Sequence, residues 1–137
     1  MKTFITTLLL LLCLNSMAQN QLPDFSFEQI KMSNITMPYR KATIAPVQGE
    51  KPAVVIYLHG GSSKGSDNTT QMNEPGIELI ANYLQSSHIN ALFLVPQCPK
   101  DKSWMGPMYP VLKSMIERYT TDNDAQPATA DINKVYI

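Results

Sequence analysis

A loop rich in glycine and serine follows an apolar run and carries the residues best suited to chemistry. The segment VVIYLHGGSSKGSDN, residues 54–68, changes from a continuous apolar run to a polar stretch. Consecutive glycines, Gly60 and Gly61, let the main chain approach a ligand closely, and outward-facing N–H groups there can bind a developing negative charge. Such donors suit an oxyanion hole, a phosphate or simply a tight turn. Composition alone does not choose among these three uses.

The loop must be positioned by the regular elements around it, and the apolar patterns predict an α/β fold. Continuous apolar runs rich in β-branched residues are typical of strands buried on both faces of a parallel sheet. Apolar residues spaced at three and four positions predict helices between these runs. The predicted elements are an antiparallel edge pair within 26–46, strands at 53–58, 91–95 and 134–137, a helix at 75–86, and a second helix opening between 107 and 110.

The order strand, helix, strand, helix, strand predicts a parallel sheet with helices on its faces. In such sheets, ligands bind beyond the carboxyl ends of the strands. The loop at 59–68 emerges at the end of a predicted strand. Its position therefore favours a functional interpretation.

Three ordered motifs, PAVVIYLHGGSSKGSDN, FLVPQCPKDKSW and DINKVYI, resemble the amino-terminal half of an exported α/β-hydrolase. The resemblance covers about residues 40–137. It is to the branch of esterases, predicted peptidases and phospholipase/carboxylesterase-like proteins related to polyhydroxybutyrate depolymerases and feruloyl esterases. It implies an α/β-hydrolase-like fold, with a mostly parallel sheet and helices on both faces, truncated before the nucleophile elbow.

The resemblance also implies a role for the loop. The backbone N–H groups of Gly61 and Ser62 would face the substrate carbonyl as oxyanion-hole donors, and His59 would be structural, not the catalytic base. The implied reaction is acyl transfer, in which a serine attacks an ester, a histidine shuttles the proton and an acid orients the histidine. KVYI resembles the strand that leads into Gly-x-Ser-x-Gly, so we expect all three triad members beyond Ile137 and no turnover by this chain alone.

The remaining candidate residues have a supporting or binding role in this interpretation. Asp67 and Asn68 are of types that hydrogen-bond a loop's own backbone and fix its shape. Trp104 either lines the cleft or anchors the packing, and the sequence leaves both open. The residues expected to support the loop or line the cleft are His59, Gly60, Asp67, Asn68 and Trp104.

Neither a metal nor a cofactor is expected. The segment DNDAQPATADIN, residues 122–133, is similar to a calcium-binding loop, but Pro127 stands where that loop needs glycine and Asn133 where it needs glutamate. The 11 basic and 11 acidic residues balance, which gives no indication of nucleic acid or an anionic membrane surface as partner.

The amino terminus has the pattern of a cleavable export signal. A basic residue is followed by a short leucine-rich core and small residues, and the core is too short for a transmembrane helix. We predict a signal peptide at 1–18 with cleavage after Ala18, which leaves an amino-terminal hydrolase part at 19–137 in a secreted or periplasmic protein. Gln19 at the new terminus excludes a lipoprotein signal, so no stable membrane anchor is expected. Cys98, the one cysteine in the mature part, is expected to be inert or disulfide-bonded outside this chain.

Three functional hypotheses follow. The first is a fragment of a secreted serine esterase acting on an ester of a carbohydrate, a polymer or a phenolic acid. The second is a non-catalytic secreted binding module whose glycine-rich loop holds an anion or a sugar. The third is a fragment without independent function, because about half a sheet cannot bury its apolar strands.

Overall fold

The computed structural model describes residues 21–123 and 125–137, and the predicted signal peptide lies outside them. Two short 3₁₀ turns, Gly61–Ser63 and Thr70–Asn73, lie in the connection between the third strand and the first helix. No helix in the described ranges combines the length and the apolar character needed to cross a membrane. The elements in chain order are β1 Ser26–Met32, β2 Ile35–Ile44, β3 Ala53–Ile56, α1 Pro75–Ser86, β4 Ala91–Pro96, α2 Met108–Thr120 and β5 Val135–Tyr136.

The five strands form one mixed sheet in the order β1-β2-β4-β3-β5. The β1–β2 and β2–β4 pairs are antiparallel, whereas β4–β3 and β3–β5 are parallel. Each parallel neighbour is reached through a long connection that contains a helix, as parallel pairing requires. The predicted α/β fold class and the antiparallel edge pair are confirmed. The sheet is mixed because the edge pair joins the parallel strands through β2.

Helices cover both faces of the sheet, as predicted. β4 is buried along its whole length, and its side chains alternate between the two faces. Phe93 and Val95 pack on the α1 face, while Leu92 and Leu94 pack on the α2 face. The buried helix residues in these two layers are Ile77, Ala81 and Leu84 of α1, and Met108, Val111, Leu112 and Met115 of α2.

The parallel strands bring three chain segments to one edge of the sheet. In the register, Val54 of β3 lies beside Val135 of β5, and Val55 lies beside Tyr136. Parallel strands end at the same edge, so the chain leaves β3, β4 and β5 on the same side. The predicted glycine-rich loop starts there, directly after β3.

Two leucines on α1 test the assignment of its buried face. Leu84 is 5% exposed and Leu79 is 71% exposed, on the same helix. We expect Leu84→Ala to lower the free energy of unfolding by about 2–5 kcal/mol, because it removes buried methyl groups and leaves a cavity. The matched change Leu79→Ala should cost less than about 0.5 kcal/mol. Urea unfolding of both variants measures the difference, and equal losses would contradict the assignment.

Candidate functional site

The candidate site lies in the connection from β3 to α1, residues 57–74. Gly60 has an extended backbone, with φ −75° and ψ 178°, and the 3₁₀ turn Gly61–Ser63 follows it. Gly60, Gly61 and Ser62 are exposed, whereas His59 and Ser63 on either side are buried. The loop therefore exposes three consecutive residues to solvent, and the residue on each side of them is buried.

Two backbone donors in this exposed stretch have no acceptor. Within 21–123 and 125–137, neither the N–H of Gly61 nor the N–H of Ser62 makes a hydrogen bond. Ser63 N–H, by contrast, donates to the Gly60 carbonyl at 3.3 Å. Backbone donors that are free of internal partners can bind a ligand oxygen without breaking any contact of the fold. Gly61 and Ser62 are the residues for which the family resemblance implies a donor role, and that role remains a prediction.

His59 is held through both ring nitrogens. Its Nε2 accepts the Cys98 N–H at 2.9 Å, so Nδ1 carries the ring proton and donates it to the Gly60 carbonyl at 2.6 Å. The side chain is 3% exposed. Neither nitrogen is available to take a proton from a nucleophile, and the ring instead fixes the backbone at the start of the exposed stretch.

Trp104 packs against the same strand end. Its indole N–H donates to the His59 carbonyl at 2.9 Å, and its ring meets the His59 ring edge-to-face at a centroid distance of 5.0 Å. It also packs against the core layer beneath α2. These contacts anchor Trp104 in the packing around the strand end, while the side chain stays partly exposed, so a place in the cleft lining remains a prediction.

Asp67 organises the second half of the loop. Its carboxylate accepts the Thr70 hydroxyl at 2.6 Å and the backbone N–H groups of Thr70 and Thr69 at 2.8 and 2.7 Å. These hydrogen bonds, led by that of the Thr70 hydroxyl, hold the pKa of Asp67 well below its usual range. Asp67 therefore acts inside the loop as a local turn support.

Asn68 connects the loop to the sheet. It has a left-handed backbone with φ 53°, a conformation that asparagine tolerates better than most residues, and it is 7% exposed. Its side-chain amide donates to the Tyr39 carbonyl at 3.0 Å and the Glu28 carbonyl at 3.3 Å, and its Oδ1 accepts from Gln71 at 2.7 Å. The Arg40 guanidinium donates to the Asn68 carbonyl at 2.8 Å.

Gln97 is a site residue that the sequence interpretation missed. It follows β4, is fully buried, and its side chain reaches three loop residues: Ser63, Asp67 and Asn68. The signal was present, because Gln97 is a polar residue directly after an apolar strand. The sequence alone does not indicate which residues, about 30 positions away in the chain, the side chain of Gln97 contacts.

Cys98, beside Gln97, is fully buried and free in the described part of the chain. Burial raises the pKa of the Cys98 thiol. Since the thiolate is the reactive form, this position has the properties of an inert core residue.

Comparisons with known proteins give a likeness to a solved structure. No family model and no curated protein matches the chain. A solved structure described as a thermostable esterase superposes with a TM-score of 0.59 and 23% sequence identity over 83% of this chain. The chain spans about a third of that esterase, 33% of its length. The likeness confirms the predicted α/β-hydrolase-like fold for the described part.

Substituting the loop glycines by alanine tests which of them the fold requires. A Cβ at Gly60 or Gly61 meets no atom within 4 Å, whereas a Cβ at Gly65 lies 2.7 Å from Gln97 Nε2. We expect Gly60→Ala and Gly61→Ala to leave Tm nearly unchanged and Gly65→Ala to cost about 1–3 kcal/mol through overpacking. Thermal unfolding followed by circular dichroism measures all three. Equal losses at the three positions would contradict the described loop.

The depressed pKa of Asp67 predicts a pH dependence of stability. Its stabilising effect is complete above the unfolded-state pKa of about 3.9 and is lost as the pH falls toward the folded-state pKa. We expect Asp67→Asn to lower Tm at neutral pH, with a Tm gap to wild type that closes below about pH 4.

Tm measured between neutral and acidic pH tests this expectation, with Glu50→Gln as the control for removing an exposed acid elsewhere. A gap that stays constant to the lowest pH at which the protein folds would contradict it.

Proposed function

We propose that this chain forms the amino-terminal part of a serine esterase domain and supplies its oxyanion donors, the N–H groups of Gly61 and Ser62. The esterase-like fold and the free, exposed donors support this function. The likeness of the motifs to the polyhydroxybutyrate depolymerase and feruloyl esterase branch supports it independently.

The observation that carries the proposal is the parallel pairing of β5 with β3. The register places Tyr136 beside Val55, so the chain following β5 emerges next to the loop that follows β3. In α/β-hydrolases, the nucleophilic serine sits on a sharp turn between a strand and a helix, and one oxyanion donor comes from the loop between the third strand and the first helix. The loop of Gly61 occupies that position in this chain, between β3 and α1.

The proposed chemistry is acyl transfer to a serine that lies, with its histidine and acid, in sequence beyond Ile137. The serine hydroxyl attacks the ester carbonyl carbon while the histidine takes its proton. The carbonyl oxygen becomes an oxyanion that accepts hydrogen bonds from Gly61 and Ser62, and the collapse of the intermediate releases the alcohol, which takes the proton from the histidine. Water then repeats the sequence on the acyl-enzyme.

The substrate class and the location belong to the same proposal. The substrate is an ester of a carbohydrate, a polymer or a phenolic acid, the classes that the resembling branch suggests. The signal pattern at 1–18 favours export, so the mature protein acts outside the cytoplasm without a stable membrane anchor. The balanced charge gives no reason to propose a nucleic-acid partner.

A non-catalytic binding module is the second candidate. Free backbone donors can bind the oxygen of an anion or a sugar as well as the oxyanion of a reaction intermediate. The two candidates differ in whether a nucleophile reacts. The product of the complete gene should hydrolyse p-nitrophenyl butyrate and be labelled covalently by a fluorophosphonate. Absence of both reactions would refute the esterase proposal and leave the binding module.

Replacing Gly61 by proline tests the oxyanion role, because proline removes one N–H. Gly60 already has the extended backbone that a residue before proline prefers, and the space beside Gly61 is open. We expect Gly61→Pro to lower kcat by about 10²–10³-fold, the usual effect of losing one oxyanion donor.

Gly61→Ala is the matched control, since it adds a Cβ and keeps the N–H, and its kcat should fall much less. An unchanged kcat in a folded Gly61→Pro variant would exclude Gly61 as a donor.

A further inference from the structure

The carboxyl end of β4 contacts the glycine-rich loop at five residues. Gln97 and Cys98 supply all of these contacts through five hydrogen bonds, four that involve a side chain and one between backbone atoms. The loop partners are His59, Ser63, Gly65, Asp67 and Asn68. Gly61 and Ser62, which carry the two exposed donors, lie between His59 and Ser63.

Both polar atoms of the Gln97 carboxamide make hydrogen bonds to the loop. Its Oε1 accepts the Asn68 N–H at 2.7 Å, and its Nε2 donates to the Asp67 carboxylate at 3.1 Å and to the Ser63 carbonyl at 3.3 Å. Its own backbone N–H donates to the Pro38 carbonyl of β2 at 2.9 Å. The side chain is 0% exposed, so these hydrogen bonds are made away from competing water.

The loop is shaped around this side chain. A Cβ at residue 65 would lie 2.7 Å from Gln97 Nε2, so only glycine fits there without a shift. Gly65 N–H donates to the Cys98 carbonyl at 2.9 Å, which keeps the loop backbone against the strand end. The Ser63 hydroxyl donates to Glu74, which ties the same turn to the start of α1.

We propose that Gln97 is a positioning residue for the oxyanion donors: its buried carboxamide fixes Ser63 and the loop beyond it, and thereby sets the direction of the Gly61 and Ser62 N–H groups. Its effect on catalysis rests on the proposed esterase function. Oxyanion donors act through preorganisation, and a misplacement of about 1 Å can reduce the rate about 10²-fold. Gln97 does not touch the substrate.

Gln97→Met tests the proposal in the product of the complete gene, because methionine has a similar length and no amide. We expect kcat for p-nitrophenyl butyrate to fall about 10²-fold, with KM changed by less than about threefold. If Gln97→Met does not fold, Gly65→Ala takes its place in the experiment. The added Cβ displaces the amide of Gln97 while the glutamine is kept, so kcat should again fall.

Leu84→Ala is the matched control, because Leu84 packs in the α1 layer of the core near the carboxyl end of α1, whereas the loop joins the helix at its start. Its kcat should stay near wild type at a temperature where both variants are folded. If Leu84→Ala and Gln97→Met lower kcat equally, Gln97 contributes only stability and the inference is wrong.

The loop itself gives a readout that does not depend on activity. The backbone amide resonances of Gly61 and Ser62, measured by ¹H–¹⁵N NMR, should shift more in Gln97→Met than in Leu84→Ala. If this happens in a protein with no esterase activity, the proposed function fails while the positioning role stands. Resonances equal in the two variants would overturn the positioning role.

Discussion

The buried contact between the end of β4 and the loop that follows β3 is the constraint on which the candidate site depends. The loop brings polar groups against an apolar sheet, where an unpaired polar group is costly. His59, Asn68 and Gln97 are each less than a tenth exposed, and each is hydrogen-bonded through its side chain. These three side chains thus pair with the strand end, the sheet backbone and the loop itself, while Gly61 and Ser62 stay exposed to solvent.

The same arrangement explains why a loop can present fixed donors. Loops are usually mobile, whereas oxyanion donors have to be in place before charge develops. Here the exposed stretch is short and both of its flanks are held, His59 by Cys98 and Trp104, and Ser63 by Gln97 and Glu74. The parallel pairing of β3 with β5 contributes the other half of the geometry, because it brings the end of β5 to the same side of the sheet as the loop.

The sequence predicted the local elements well and the long-range contacts poorly. Helix α1 begins and ends where its spacing and Pro75 indicated, and the antiparallel edge pair was visible in the alternation of apolar and polar residues. The pairing of β2 with β4 was not predicted, because periodicity describes one strand and not its neighbour. The contacts of Gln97 with the loop were missed for the same reason, and the contact of Trp104 with His59 was not predicted either.

The most direct test of the account is a crystal structure of the complete gene product inactivated with a phosphonate ester, whose phosphonyl oxygen mimics the oxyanion. The account predicts a phosphonylated serine just after β5, with that oxygen about 2.7–3.1 Å from the backbone nitrogens of Gly61 and Ser62. A phosphonyl oxygen held by other donors, with Gly61 and Ser62 turned toward solvent, would contradict it.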